Sequence, residues 1–328
     1  MAERKYAVIL GNLGNTCDRF CSGYKHNPPA LEMLKAAAAI PQVRGIELVG
    51  SWDIRPDNAA EMKRVLAGHG LACVSIIPDL FACKDYAKGS FSNPDARIRA
   101  KALSETRRMC DIALDLGCGL INLWPGQDGY DYLLSTDYEK ERELECQAVR
   151  ELALAYPTLR FALEYKPKEP RTHCYLARMA DTLLLAQETG CANVGLTMDT
   201  GHAFAAGENP AESVVLARRA GDRLFHMHFN DNYASWDDDM IVGSVHSLVY
   251  LELLYWLDRC GYTGWLSMDQ YPYREDAAGA IGESIAWLAA FDGILQRHRA
   301  EMDAVIAAGD PVATSRLMRR LLAPGTAR

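Results

Sequence analysis

The sequence predicts an α/β fold, a (β/α)8 TIM barrel with a C-terminal helical extension. Three observations point to it. Short, nearly uniformly apolar runs alternate with longer stretches of helical periodicity. Eight such pairs follow one another in series, as a parallel barrel requires. The last four apolar runs end in carboxylate or imidazole residues, and parallel strands bring such ends to one face.

The strands are expected at Tyr6–Leu10, Gly45–Val49, Ala72–Ile77, Leu120–Trp124, Arg160–Tyr165, Val194–Asp199, Leu224–Phe229 and Trp265–Asp269. Their apolarity on both alternating faces suits strands covered on each side. A helix over Pro29–Ala39 opens on a proline pair, a good helix start. Another follows at Asn58–Gly68. Pro94–Leu116 places Ile98, Leu103, Met109, Ile112 and Leu116 at helical spacing. Lys140–Ala155, Tyr175–Thr189, Pro210–Ala220, Ser247–Cys260 and Ala277–Ala290 complete the set. An open doubly wound sheet is disfavoured. The Gly11-Asn12-Leu13-Gly14-Asn15 stretch after the first strand lacks the spacing of a dinucleotide fingerprint.

The 328 residues allow a barrel of about 250 residues plus a tail. The expected division is residues 1–290 for the barrel and 291–328 for the extension. Ile285, Leu288, Phe291, Leu295, Met302 and Ile306 prolong an apolar stripe past the minimal barrel. A second helix, Pro311–Leu322, starts after Gly309-Asp310. This extension packs either on its own barrel or on a neighbouring subunit, and a dimer or tetramer is expected.

Composition narrows the function. A hydrophobic content of 49% excludes a disordered chain. No apolar run is expected to span a bilayer, and Met1 to Lys5 leads into a strand without a secretory signature. The formal charge of -8 argues against a nucleic-acid partner, which needs clustered basic surface. Ten cysteines lie without a metal-binding pattern, Cys17/Cys21 being the nearest approach, so reduced thiols in a cytoplasmic protein are expected.

The strand ends carry the chemistry. Asp199-x-x-His202 lets a strand-terminal carboxylate and an imidazole one turn later reach one region. Asp237 and Asp239 alternate along an extended loop and can face one ion while Asp238 points away or bridges. Glu164 and Lys166, two apart, share a face. His228 is taken as a ligand because it lies nearer the C-terminal rim. His226 is taken as structural, on the strand's other face. Asp269 ends the eighth strand. Singly, these residues are more often a salt bridge, a structural histidine, a solvated loop or a turn cap. In order on four successive strands they form a candidate site for a divalent ion. Mixed carboxylate and imidazole donors without thiolates favour manganese, magnesium or cobalt, with zinc as an alternative.

In this order, Glu164-Tyr165-Lys166-Pro167, Asp199-x-x-His202, His228-Phe229-Asn230-Asp231, Asp237-Asp238-Asp239 and Asp269 resemble the xylose isomerase-like sugar isomerase superfamily, most closely its L-rhamnose isomerase branch. Trp124-Pro125-Gly126-Gln127-Asp128-Gly129-Tyr130 is similar to the tryptophan–glycine segment after strand four in that superfamily. The resemblance implies one ion, manganese first, held by Glu164, Asp199, His228 and Asp269. It implies a second, less firmly, held by Asp199, His202, Asp237 and Asp239. It further implies an aldose–ketose interconversion by metal-assisted hydride shift on a small sugar, with Glu164, Lys166 and Asp269 catalytic. Trp52, Trp124, Lys166 and His202 would contact the sugar.

Xylose isomerases proper carry a ring-opening histidine after strand three. Here that stretch reads Ile76-Ile77-Pro78-Asp79-Leu80-Phe81, which leaves Asp79, metal-bound water or opening in solution. Within the same superfamily, a ketose 3-epimerase shuttling a proton between Glu164 and Asp269 is the main alternative. A metal-dependent lyase subunit acting on C-glycosides is another.

Overall fold

The computed structural model describes residues 3–15, 17 and 20–323. Eight parallel strands close into a barrel in sequential order: β1 Lys5–Ile9, β2 Val43–Val49, β3 Ala72–Ile77, β4 Leu120–Leu123, β5 Arg160–Glu164, β6 Val194–Asp199, β7 Leu224–Phe229 and β8 Trp265–Met268, which returns to β1. All eight expected strands are present, with ends displaced by at most two residues. An antiparallel pair, Gly129–Tyr130 with His173–Cys174, braces the rim above β4 and β5.

The helices are α1 Ala30–Ala39, α2 Ala59–His69, α3 Ala96–Leu116, α4 Tyr138–Ala155, α5 Met179–Glu188, α6 Thr200–Ala205, α7 Pro210–Arg219, α8 Ser247–Arg259, α9 Ala277–Ala308 and α10 Pro311–Leu322. Side-chain caps explain where several begin. Asp95, Asp137, Asn209, Asp276 and Asp310 each accept a backbone N–H of the first turn, satisfying donors that the helix leaves unpaired. The short α6 was not expected from the sequence, because six residues carry too little periodicity to register.

α9 is kinked at His298, where the backbone leaves helical geometry and two helical stretches meet. It is long and apolar enough to cross a membrane by length and composition, which departs from the sequence expectation that no such run exists. Its Ile281, Ile285, Leu288, Phe291, Leu295 and Met302 are buried in the core instead, and Leu317 of α10 joins the same cluster. The extension therefore packs on its own barrel. Arg4 fastens the junction from below, 2.8 Å from Asp258 and 3.0 Å from Asp292. No disulfide links cysteines of the described residues.

The barrel interior is unusually polar. Barrels of this kind are filled mainly by branched aliphatic side chains, yet Glu47, Ser75, Asn122, Thr197, His226, His228 and Ser267 are all buried here and joined by hydrogen bonds. Register shifts fall at Ile46/Glu47 on β2 and Leu196/Thr197 on β6. Such irregularities re-aim side chains next to sites.

A Cβ on Gly195 would stand 2.5 Å from the Arg223 carbonyl oxygen and 2.6 Å from the Phe225 ring. Gly195→Ala should therefore cost about 1–3 kcal/mol as overpacking, read as a lower denaturant midpoint. Glu145 of α4 is buried with neither carboxylate oxygen hydrogen-bonded. Burial, reinforced by Asp128, holds its pKa well above the usual 4.5. A raised carboxyl pKa gives stability that is complete below pH 4.5 and is lost as pH rises above it. One proton contributes a slope of at most about 1.4 kcal/mol per pH unit. Glu145→Gln should flatten that decline, so thermal melts of the two proteins should diverge towards pH 8 in the variant's favour.

Candidate metal centre

Asp199 ends β6 and also caps α6. Its Oδ1 accepts the His202 backbone N–H at 2.9 Å, so the Asp-x-x-His spacing is a helix cap that carries the imidazole to the barrel mouth. Both Asp199 oxygens also accept the Asn230 side-chain amide, at 3.1 and 2.9 Å. Asn230 is in turn anchored by Thr200 and by the Tyr250 hydroxyl on its carbonyl. Gly201 leaves the room this needs. A Cβ there would lie 2.0 Å from Asn230 Oδ1 and 2.9 Å from Asp237 Oδ1.

Glu164 ends β5. Its Oε2 accepts from Asn122 at 2.7 Å, and Asn122 accepts from Thr197 at 2.5 Å. Glu164 Oε1 and Asp269 Oδ2 each lie 3.2 Å from His228 Nδ1. Donor atoms of Glu164, Asp199, His228 and Asp269 fall within 4.8 Å of one another, as do those of Asp199, His202 and Asp237. Asp239 lies in neither set. It lines the same cavity of about 320 Å³, together with Glu164, Lys166, His202, Asp237 and Asp269. Asp238 accepts the Tyr233 N–H, pointing away as one of the two readings of it had it.

Electrostatics set the protonation pattern. Burial works against the charge on His228, but Glu164 and Glu47 outweigh it and lift its pKa well above the ordinary value. His202 is lifted to about 9 in the same way, burial being outweighed by Asp199 and Asp237. Burial, with the neighbouring acids, pushes Asp199 up to about 6 and Asp239 well above a normal carboxyl. Asp237 is pulled down despite its burial, because Lys166 and His202 face it. Protons and cations thus hold together a set of acids that would otherwise repel.

Lys166 Nζ sits 2.8 Å from Asp237 and 2.7 Å from Glu169, and 5.4 Å from the Trp124 ring centroid. Burial opposes its charge, but Asp237 and Glu169 overcome this and raise its pKa well above normal. Trp52 and Trp124 both line the cavity. Phe81, which the sequence did not single out, stands between them, at 5.7 and 4.6 Å between ring centroids. Asp79 accepts from Ser51 and from the Trp52 indole at 2.6 and 3.1 Å and does not line the cavity.

One placement corrects the sequence reading. His226 does not face away from His228. Residues two apart on a strand share a face, and both imidazoles turn inward onto Glu47, at 2.9 and 3.3 Å. Glu47 itself was missed. Its only signal is a charge inside the otherwise apolar Ile46-Glu47-Leu48-Val49 run.

The residues suit a divalent ion. His202 Nδ1 and Asp237 Oδ1 are buried without a hydrogen-bond partner, and buried polar atoms are seldom left so. Oxygen and nitrogen donors converge around them, with no thiolate among them.

The comparisons agree with this architecture. The family model described as "Xylose isomerase-like TIM barrel" matches residues 34–291, and the chain belongs to that family. It is 31% identical over 233 residues to a protein named xylose isomerase from Thermus thermophilus, covering 69% of this chain and 60% of that one. The chain thus spans less than two thirds of that relative's length. Among solved structures it is similar in fold to a D-tagatose 3-epimerase-like protein (TM-score 0.70, 18% identity, covering 89% and 98% of the two chains). It is also similar to a 3-keto-D-glucoside 4-epimerase from E. coli (TM-score 0.69, 19% identity, 88% and 99%).

Metal removal tests the centre. Protein stripped with EDTA should gain stability on addition of manganese, by about 2.7–4.1 kcal/mol at 100 to 1,000 times the dissociation constant. Asp199→Asn should abolish most of that gain, as read by thermal melts with and without the ion.

Proposed function

We propose that this protein is a divalent-metal-dependent sugar isomerase that interconverts an aldose and a ketose by a hydride shift between C1 and C2. The observation that carries the reading is the placement of Lys166. Its ammonium stands beside Asp237 of the second donor set, is kept charged by Asp237 and Glu169, and lines the cavity that Glu164 and Asp269 of the first set also line. A bound ion, manganese first among the candidates, would polarise the sugar oxygens as a Lewis acid. Glu164, Asp199, His228 and Asp269 would hold it, with His202, Asp237 and Asp239 about a second. Lys166 would donate to the carbonyl oxygen as negative charge develops there, the type of stabilisation typically worth about 10²–10³ in rate. Trp52, Phe81 and Trp124 wall one side of the cavity with apolar surface suited to the C–H face of a sugar. The relative named xylose isomerase supports the same class of reaction.

A ketose epimerase is the second reading. Glu164 and Asp269 flank one point, each 3.2 Å from His228 Nδ1, as a proton shuttle between two carboxylates would need. Turnover in deuterated water separates the two. We expect a screen of free aldoses and ketoses with manganese to yield product without carbon-bound deuterium. Label entering at the reacting carbon would reject the hydride shift. Lys166→Met should lower kcat by about 10²-fold or more while the protein still takes up manganese. An unchanged kcat would remove Lys166 from the chemistry.

A further inference from the structure

Beneath the metal centre, Glu47, His226 and His228 bring three ligand-type groups within 4.8 Å. This cluster has two possible uses, as a further ion site or as a support. Counting lone pairs decides between them. An ionised carboxylate offers about four acceptor positions. On Glu47, Oε1 accepts from His226 and the Ser267 hydroxyl, and Oε2 accepts from the Ser75 hydroxyl. His228 Nε2 supplies the fourth donor at 3.3 Å. Nothing remains with which Glu47 could hold an ion without breaking this set. The donors come from β3, β7 and β8, so three strands fix one carboxylate carried by β2.

The consequence falls on His228. Its Nε2 is turned down to Glu47, while its Nδ1 faces Glu164 and Asp269 at 3.2 Å each. A neutral imidazole, the form an ion would bind, that donates one N–H to a buried carboxylate presents the other nitrogen as a lone pair in a fixed direction. That arrangement orients a metal-ligating histidine and increases its basicity.

We propose that Glu47, clamped by Ser75, Ser267 and His226, is the positioning residue that fixes His228 in its Nε2–H form, with Nδ1 directed at an ion shared with Glu164 and Asp269. This rests on the metal reading of the site. His226 serves the clamp rather than the ion, and Glu47 touches neither ion nor substrate.

The test reads the nitrogens directly. In the zinc-loaded wild-type protein, long-range ¹H–¹⁵N spectra of ¹⁵N-histidine, with His228 assigned by loss of its signals in His228→Gln, should show Nε2 protonated and Nδ1 metal-bound. Nε2 bound to the ion, or an Nδ1–H form, would overturn the proposal without any Glu47 variant. Glu47→Gln should weaken manganese affinity by about 10–100-fold and change the His228 nitrogen shifts. Glu47→Asp, which keeps the charge, should recover part of the loss. Manganese affinity within twofold of wild type in a folded Glu47→Gln protein would also overturn it. Wild-type protein that takes up neither manganese nor zinc would instead overturn the metal reading and this proposal together. Uptake with unaltered affinity sinks only the role of Glu47.

Discussion

Pairing buried carboxylates with inward-facing imidazole and ammonium groups is the constraint on which this barrel depends. Glu47, Glu164, Asp199, Asp237 and Asp239 are all buried, and bare carboxylates in such surroundings cost several kcal/mol each. His226 and His228 meet Glu47, His202 and Lys166 meet Asp237, and His228 meets Glu164 and Asp269. The compensation is incomplete at the top. Asp199 and Asp239 are held up in pKa by neighbouring acids as well as by burial. Excess acid in a closed space, beside unpartnered His202 Nδ1 and Asp237 Oδ1, is what a divalent cation would neutralise.

The same constraint organises the scaffold. Asn122 reaches Glu164 and is itself held by Thr197, so β4, β5 and β6 are locked in height at the mouth. Glu47 does the same below for β2, β3, β7 and β8. The polar interior replaces aliphatic layers with hydrogen bonds between strands. A fully satisfied network of this sort fixes geometry, whereas a partly satisfied one is costly. The register shifts beside Glu47 and Thr197 place those side chains in the network.

Most of this arrangement was legible because it is written at strand ends. Glu164, Asp199 and His228 close or nearly close apolar runs, and Asp269 follows the last one, so a repeated local pattern betrayed a shared face. Asp199 and His202 were legible for a further reason, since their spacing is also that of a helix cap. What escaped lay inside the strands. Glu47 has one charge in an apolar run and no partner nearby in sequence. Its four donors come from Ser75, His226, His228 and Ser267, distant residues that only barrel closure assembles. His226 shares a face with His228 because side chains two apart on a strand point the same way, so alternation turns it inward onto Glu47 rather than to the other face. Phe81 was hidden in a loop, where no periodicity marks direction.

Glu47 and Asp237 show how one side chain serves opposite ends. Both are buried carboxylates that face a histidine. On Glu47 every acceptor position is taken by a hydroxyl or an imidazole N–H, leaving the group closed to an ion and able only to orient. On Asp237, Oδ2 is shared by Lys166 and His202 while Oδ1 has no partner, leaving the group open. His228 joins the two regimes, with one nitrogen committed below and the other facing acids above. The number of lone pairs left over, more than residue type or burial, separates the anchors of this barrel from its ligands.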